Sequence, residues 1–143
     1  MSIIKMNTRA QIESCYRLMA VLRPHLIESK FVDQLNRQIK QGYQLLAFQV
    51  AGRPVALLGY RLIENMVLGK FLYVDDLVTD PQLKRRGYAE RLLDSVIDAA
   101  MKSECSAIQL DSGFQNLDAH RLYLNKGFQL SAHHFRKPLK HIA

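Results

Sequence analysis

The sequence predicts a single mixed α/β domain, and three observations support this prediction. The chain has 143 residues, of which 48% are hydrophobic, enough for one core of ordinary size. Apolar residues follow a helical spacing up to about residue 42 and then recur at every second residue, as in strands. Beyond residue 88, helical and strand-like segments alternate. The order is strand, two helices, three strands, helix, strand, helix and two strands, which predicts one domain over residues 1–143.

The opening third is predicted to contain a short strand at residues 3–6 and two helices. Thr8 and Gln11 have the spacing of a capping box, in which each side chain binds the other residue's backbone N–H. Apolar residues then recur at helical spacing until Pro24 ends the first helix. The second helix is expected from about Ser29 to the stop at Gly42.

Three strands are predicted in the middle of the chain. Residues 46–50 and 55–63 are joined by a turn that contains glycine and proline, so they form a hairpin. Residues 71–78 form a third, longer strand, which Asp80 and Pro81 end.

The last part begins with the clearest helix. Its apolar stripe has five members, Leu92, Leu93, Val96, Ile97 and Ala100. A strand at residues 107–110, a helix at 116–125 and two strands at 127–130 and 134–139 complete the predicted order.

Several protein classes are disfavoured by the composition. No apolar run approaches the roughly 20 residues that span a bilayer, and residues 1–7 lack the features of a secretory signal. Cys15 and Cys105 are isolated, which favours reduced thiols in a cytoplasmic protein. The five histidines have no metal-ligand spacing, so we expect no metal site.

The chain carries a formal net charge of +7 and therefore attracts anions. The total charge does not distinguish nucleic acid, anionic lipid or a phosphorylated cofactor. The tightest basic cluster is Lys84, Arg85 and Arg86, next to Gly87 and between a predicted strand and a predicted helix.

The loop from Lys84 to Ala89 suits a diphosphate. Unpaired N–H groups at a helix start and the positive end of the helix dipole attract anions, and Gly87 lets an oxygen approach the backbone closely. The sequence patterns of nucleoside triphosphatases and of dinucleotide-binding proteins are absent from the sequence. On residue types alone, a solvated basic turn is an equally good interpretation.

The segment Lys84-Arg85-Arg86-Gly87-Tyr88-Ala89 resembles the coenzyme A pyrophosphate loop of the GNAT acetyltransferase superfamily, [RQ]-x-x-G-x-[GA]. Lys84 departs from the pattern, but it keeps the positive charge. A second segment, from Asn116 to Phe128, is similar to the family motif N-x-x-A-x-x-[FL]-Y-x-x-x-G-F. The resemblance is good over residues 43–131 and extends to small bacterial members of the family.

This resemblance implies a central, mostly antiparallel twisted sheet of six to seven strands flanked by about four helices. It also implies acetyl-CoA as cosubstrate, held by Leu77 and Val78 through the backbone, by the loop of Lys84, Arg85, Arg86, Gly87, Tyr88 and Ala89, and by Asn116. A homodimer is common among similar proteins. From the residues alone, Leu77 and Val78 form a buried strand, and Asn116 is a helix N-cap.

Tyr123 is the candidate general acid. In the implied reaction a neutral amine attacks the thioester, and coenzyme A leaves as a thiolate that needs a proton. A tyrosine with an ordinary pKa near 10 is protonated at neutral pH and is reasonably matched to a thiol near 8.5. The family likeness indicates the same residue, although a tyrosine beside Leu122 would otherwise be interpreted as part of the core.

The general base is less determined. Asp75 and Asp76 are adjacent in the third long strand, so alternation predicts that one of them faces the cleft. Asp76 ranks first, acting through water, while structural hydrogen bonding or substrate binding fits equally well. Further polar candidates for the pocket are His133, His134, Asp111 and His120.

Three functions follow from these patterns. The leading hypothesis is an N-acetyltransferase that moves acetyl from acetyl-CoA to a primary amine of a small molecule or peptide, by direct attack in a ternary complex. The alternative is a non-catalytic acyl-CoA-binding regulatory module. A nucleic-acid binder comes third, because no stacking-aromatic motif supports it.

Overall fold

The structure is a computed structural model and describes residues 1–140. The elements follow one another as β1 (Ser2–Lys5), α1 (Arg9–Ser14), α2 (Tyr16–Leu22), α3 (Glu28–Lys40), β2 (Gln44–Val50), β3 (Arg53–Asn65), β4 (Gly69–Thr79), α4 (Tyr88–Lys102), β5 (Ile108–Leu110) and α5 (Leu117–Asn125). A short 3₁₀ turn at Pro81–Leu83 lies between β4 and α4.

The five strands form one sheet in the order β1-β2-β3-β4-β5. Each neighbouring pair is antiparallel except β4 and β5, which run parallel. The predicted mixed α/β fold with a mostly antiparallel sheet is therefore confirmed. The expected count of six to seven strands is wrong for the described part of the chain, because residues 127–130 and 134–139 form no strand.

The opening helices also differ from the prediction. The capping box is confirmed, since Thr8 Oγ1 accepts from the Gln11 N–H at 3.3 Å and Gln11 Oε1 accepts from the Thr8 N–H at 3.0 Å. The helix expected to run on to Pro24 is instead two helices that meet at Cys15. The Cys15 N–H binds the Ile12 carbonyl, three residues back rather than four, so the last turn of α1 tightens and α2 starts afresh.

Both faces of the sheet are covered. Leu57 and Leu58 are adjacent in β3 and therefore point to opposite faces of the sheet, and both are fully buried. Leu57 packs in the cluster formed with α1, α2 and α3. The helix α4 packs on β2, β3 and β4 through its predicted stripe, of which Leu92, Leu93 and Val96 are fully buried. β4 is thus packed on both faces, and it leads through the 3₁₀ turn into the basic loop.

The contacts divide the chain into two compact units, residues 1–110 and the residues from Asp111 onward. The first unit holds the whole sheet and α1 to α4, and the second holds α5. Each unit is described by itself below. One domain over residues 1–143 thus stays a prediction.

Candidate active site

The predicted strand, basic loop and helix are present in that order. Asp80 caps the 3₁₀ turn after β4 by accepting from the Gln82 N–H at 2.9 Å. Lys84, Arg85 and Arg86 are exposed, and α4 begins at Tyr88. The loop turns sharply at two residues with positive φ, Arg85 at 65° and Gly87 at 78°.

Gly87 is the N-cap of α4 and brings no side chain that could occupy the first-turn N–H groups. A Cβ built on Gly87 would meet no atom of the described chain within 4 Å, so the space beside the helix start is open. A helix of 15 residues concentrates a partial positive charge at this end, where three cationic side chains already lie. The residues present therefore fit a diphosphate such as that of coenzyme A.

The first turn of α4 is fixed to the sheet by its side chains. The Tyr88 ring stacks on the Phe48 ring of β2, with centroids 4.8 Å apart and planes 28° apart. The Arg91 guanidinium lies 5.6 Å from the same Phe48 centroid. The Tyr88 ring thus positions the start of α4 on the sheet. The backbone N–H of Tyr88, and not its side chain, is the group that can bind an anion.

The strand β4 has a β-bulge within the candidate site. Gly59 pairs with Asp76 and Tyr60 pairs with Val74, which leaves Asp75 as an extra residue in β4. The alternation predicted for Asp75 and Asp76 is therefore wrong. Both side chains lie on the face that carries Tyr43, because a bulge interrupts the two-residue period.

Asp76 is held by Tyr43 and Arg23. Its Oδ2 accepts from the Tyr43 hydroxyl at 2.7 Å, and its Oδ1 accepts from Arg23 Nε at 3.1 Å and lies 3.0 Å from Arg23 Nη2 in an ion pair. Arg23 Nη2 also donates to the Asp75 carbonyl oxygen at 2.9 Å. The Arg23 side chain therefore binds both the Asp76 side chain and the backbone of the bulge. The Asp76 side chain is 13% exposed, which makes it an anchored anion with few positions left for another partner.

Tyr43 completes this anchor. Burial raises the pKa of its hydroxyl well above 10, and the neighbouring negative charge of Asp76 and the hydrogen bond to it raise it further. Tyr43 therefore stays a donor at any physiological pH. Gly59 makes room for it, since a Cβ at Gly59 would overlap the Tyr43 ring.

Asp75 forms a second ion pair. Its two carboxylate oxygens accept from Arg61 Nε and Nη2, each at 2.8 Å, and the guanidinium lies 5.4 Å from the Tyr73 ring centroid. The hydrogen bond to Asp75 raises the pKa of Arg61. Sequence reasoning missed Arg23, Tyr43 and Arg61, because they lie up to 53 residues from the aspartates and follow no motif.

Beyond the bulge, β4 presents an open backbone edge. It pairs with β5 over Leu72–Val74, and the described residues after Val74 pair with β3 alone. The Asp80 N–H binds the Val55 carbonyl, so ladder alternation directs the backbone of Val78 toward β3 and that of Leu77 away from it. Within residues 1–140, the N–H and C=O of Leu77 therefore have no strand partner, whereas the Val78 side chain is buried and its backbone belongs to the ladder. Thr79 shares the outward direction of Leu77.

In the second unit, Asn116 occupies the N-cap position of α5. Its side chain makes no capping hydrogen bond, although its carbonyl accepts from the His120 N–H. His120 Nε2 lies 2.8 Å from the Gly113 carbonyl oxygen, which ties the loop before α5 to the helix. Asn116 is thus the N-cap by position, and its side-chain amide, which makes no capping bond, can bind another partner.

The end of α5 explains the second motif. The Phe128 N–H binds the Tyr123 carbonyl, and the Gly127 N–H binds the Leu124 carbonyl, the two bonds of a Schellman motif. Gly127 has a φ of 88°, which glycine adopts without strain. The rings of Tyr123 and Phe128 lie 5.7 Å apart and supply the hydrophobic contact of this motif. Residues 127 and 128 close the helix, which is why no strand begins there.

Tyr123 has the protonation state that a general acid requires. Burial raises the pKa of its hydroxyl above 10, so the proton is retained at neutral pH. Of the remaining candidates in this unit, His134 Nδ1 lies 3.4 Å from Asp111 Oδ2, and the His133 ring lies 6.5 Å from the Phe135 ring. Residues 1–140 contain no group of three or more side chains that could hold a metal ion.

Comparisons with known proteins agree on one family. The model of the acetyltransferase (GNAT) family matches residues 10–128. The chain is similar to the uncharacterised N-acetyltransferase YhdJ of Bacillus subtilis, with 31% identity over 137 residues that cover 94% of this chain and 96% of the relative.

Solved structures share the fold. A chain from Agrobacterium tumefaciens described as an acetyltransferase matches with a TM-score of 0.84 and 19% identity, covering 96% of this chain and 99% of that chain. The aminoglycoside N-acetyltransferase AAC(6')-Iy in complex with CoA matches with a TM-score of 0.85 and 14% identity, covering 98% of this chain and 95% of that one.

Proposed function

We propose that this chain, which belongs to the GNAT acetyltransferase family, transfers acetyl to a primary amine of a small molecule or peptide by direct attack in a ternary complex. The chain is an acetyltransferase, and acetyl-CoA is its acetyl donor. The kind of acceptor and the direct route are the parts that we propose. One observation carries the proposal. The unpaired β4 backbone at Leu77 is followed, within 13 residues, by the basic start of helix α4 at Gly87 to Ala89.

The cofactor-binding residues follow from this succession. Gly87, Tyr88 and Ala89 contribute backbone N–H groups to the pyrophosphate, and Lys84, Arg85 and Arg86 contribute long-range attraction. Leu77 offers its N–H and C=O to the pantetheine arm and thioester. For Val78 we propose a supporting role through packing, and the Asn116 amide is a further contact to the cofactor.

Tyr123 is the proposed acid. The amine nitrogen forms a bond to the thioester carbonyl carbon, the carbon–sulfur bond breaks, and the thiolate takes the Tyr123 proton. The amine loses its own proton to a base or to water. A positioned acid of this kind contributes about 10²–10⁴-fold to the rate.

Asp76 is the proposed base, acting through water, and its surroundings suggest a competing role as anchor of the bulge. Tyr43 and Arg23 already bind its two carboxylate oxygens. Asp76→Asn separates the roles. It keeps the shape of the side chain, so loss of kcat with unchanged melting temperature favours the base, and loss of both favours the anchor.

The proposal is tested by release of free thiol from acetyl-CoA in the presence of a panel of primary amines. Acetylation of at least one amine, with product confirmed by mass spectrometry, is the expected result. Tight acetyl-CoA binding with no release on any amine would favour the alternative, a regulatory module that senses acyl-CoA.

Location and assembly remain proposals. We place the protein in the cytoplasm because Cys15 and Cys105 are free thiols. No helix within the described residues has the length and apolarity needed to cross a membrane. A homodimer stays a prediction, and nucleic acid is not part of the proposed activity.

A further inference from the structure

A polar cavity of about 350 Å³, open to solvent, lies between α3 and the bulge of β4. Its helix side is a stripe with the spacing i, i+3, i+4 and i+7, formed by Gln34, Arg37, Gln38 and Gln41. Its sheet side is formed by Tyr43, Arg61 and Asp75. The opposite stripe of α3, with Phe31 and Leu35 buried, packs into the core, so the polar stripe is not turned toward the hydrophobic cluster.

The charges that line this cavity do not cancel. Asp75 is its single carboxylate, and both of its oxygens are already bound by Arg61 at 2.8 Å. Arg37, which is exposed, is left as a second guanidinium, and within residues 1–140 its side chain forms no ion pair or hydrogen bond. A ligand that enters therefore meets one uncompensated positive charge on α3 and amide groups on either side of it.

The cavity is next to the place proposed for the thioester. Asp75 precedes Leu77 by two residues, which is at most about 7 Å along β4 because the bulge interrupts the regular strand. A small acceptor can therefore place its amine at the β4 end and a second group at the α3 end.

We infer that this cavity binds the acceptor, and that the acceptor carries a carboxylate, held by Arg37, in addition to its amine. This inference rests on the proposed function. A guanidinium binds a carboxylate with two parallel hydrogen bonds, and the neighbouring glutamine amides supply further donors. A polycationic amine is disfavoured, because the two aspartates that would attract it are bound by Arg23 and Arg61.

The test compares amino acids with the primary amines that result from removing their carboxyl groups, for example lysine with cadaverine and phenylalanine with phenethylamine. Thiol release gives kcat and KM for each member of a pair. We expect kcat/KM to be about tenfold or more higher for the carboxylated member, the effect of one charged hydrogen-bonding pair.

Arg37→Gln should bring that ratio close to one by raising KM for the carboxylated member, with kcat unchanged. Arg37→Lys should retain part of the preference. Lys40→Gln is the matched control, since it removes one charge from the exposed surface of the same helix outside the cavity. Equal or better use of the decarboxylated amines by the unaltered chain would overturn the inference and leave the proposed function intact.

Calorimetry on the CoA-loaded chain, with the same amino acids and amines as probes, separates the two ideas. Carboxylate-dependent binding that Arg37→Gln abolishes supports the inference even where no amine is acetylated. Absence of both binding and acetylation would overturn the inference together with the proposed function.

Discussion

The basic loop begins at Lys84, nine residues after the bulge residue Asp75, and the two regions are built in different ways. The loop works through backbone groups, which a left-handed glycine and a helix start place locally, while its charged side chains are exposed. The bulge works through side chains, which Arg23, Tyr43 and Arg61 hold from other segments of the first unit. A site made of backbone groups suits the pyrophosphate of the cofactor, which is the same in every reaction. A site made of side chains can differ between proteins that use different acceptors.

The largest effect should come from removing the proposed acid. Tyr123→Phe keeps the ring that packs on Phe128, so kcat should fall about 100-fold or more while the affinity for acetyl-CoA stays the same. Steady-state kinetics and calorimetry measure the two quantities. Unchanged turnover would remove Tyr123 from the mechanism. Tyr16→Phe is the control, as that hydroxyl binds the Leu26 carbonyl away from the proposed site.

A somewhat smaller effect is expected in the loop. Gly87→Glu places a negative charge where the pyrophosphate should lie, and we expect the Kd for acetyl-CoA to rise about 50-fold. The matched control is Gly52→Glu in the β2–β3 turn, where φ is 75° and the space is also open. Both substitutions place a glutamate at a similar positive φ, so the difference in Kd reports the anion site. Normal acetyl-CoA binding by Gly87→Glu would show that the pyrophosphate lies elsewhere.

The bulge should respond in stability rather than in cofactor affinity. Tyr43→Phe removes the donor to Asp76 Oδ2 in a buried setting, so the free energy of unfolding should fall by about 1–2 kcal/mol. Tyr16→Phe, which loses a bond to a neutral carbonyl, should cost less. Urea denaturation measures both. A loss of acetyl-CoA affinity larger than the loss of stability would contradict the separation of the two regions.

The smallest effect is expected for a single basic side chain of the loop. Lys84→Gln should weaken acetyl-CoA binding about threefold at physiological salt, because exposed charges contribute little beside backbone N–H groups. Calorimetry at two salt concentrations measures this. A loss as large as that of Gly87→Glu would mean that the side chains, and not the backbone, carry the site.

The parts of the molecule that sequence could predict are those determined by near neighbours. The Thr8–Gln11 capping box, the β2–β3 hairpin and the loop at Gly87 each depend on a few adjacent residues. The bulge could not be predicted, because the extra residue appears only when β4 is aligned with β3. The partners of Asp75 and Asp76 were missed because they lie in other strands and helices. Phe128 and Leu130 alternate with polar or small residues as in a strand, although Gly127 and Phe128 end the helix α5.

The extra residue at Asp75 also bears on which length changes β4 can accept. Deleting it would let Val74 and Asp76 follow each other as the partners of Tyr60 and Gly59, so Val78 would stay opposite Leu57 and no later residue would change face. Such a deletion would remove the ion pair between Asp75 and Arg61. Deleting a residue elsewhere between Val74 and Thr79 would instead shift the pairing by one residue and exchange the buried and exposed faces. In related chains, we therefore expect one-residue deletions in this stretch to fall at position 75 and to accompany the loss of the arginine at position 61.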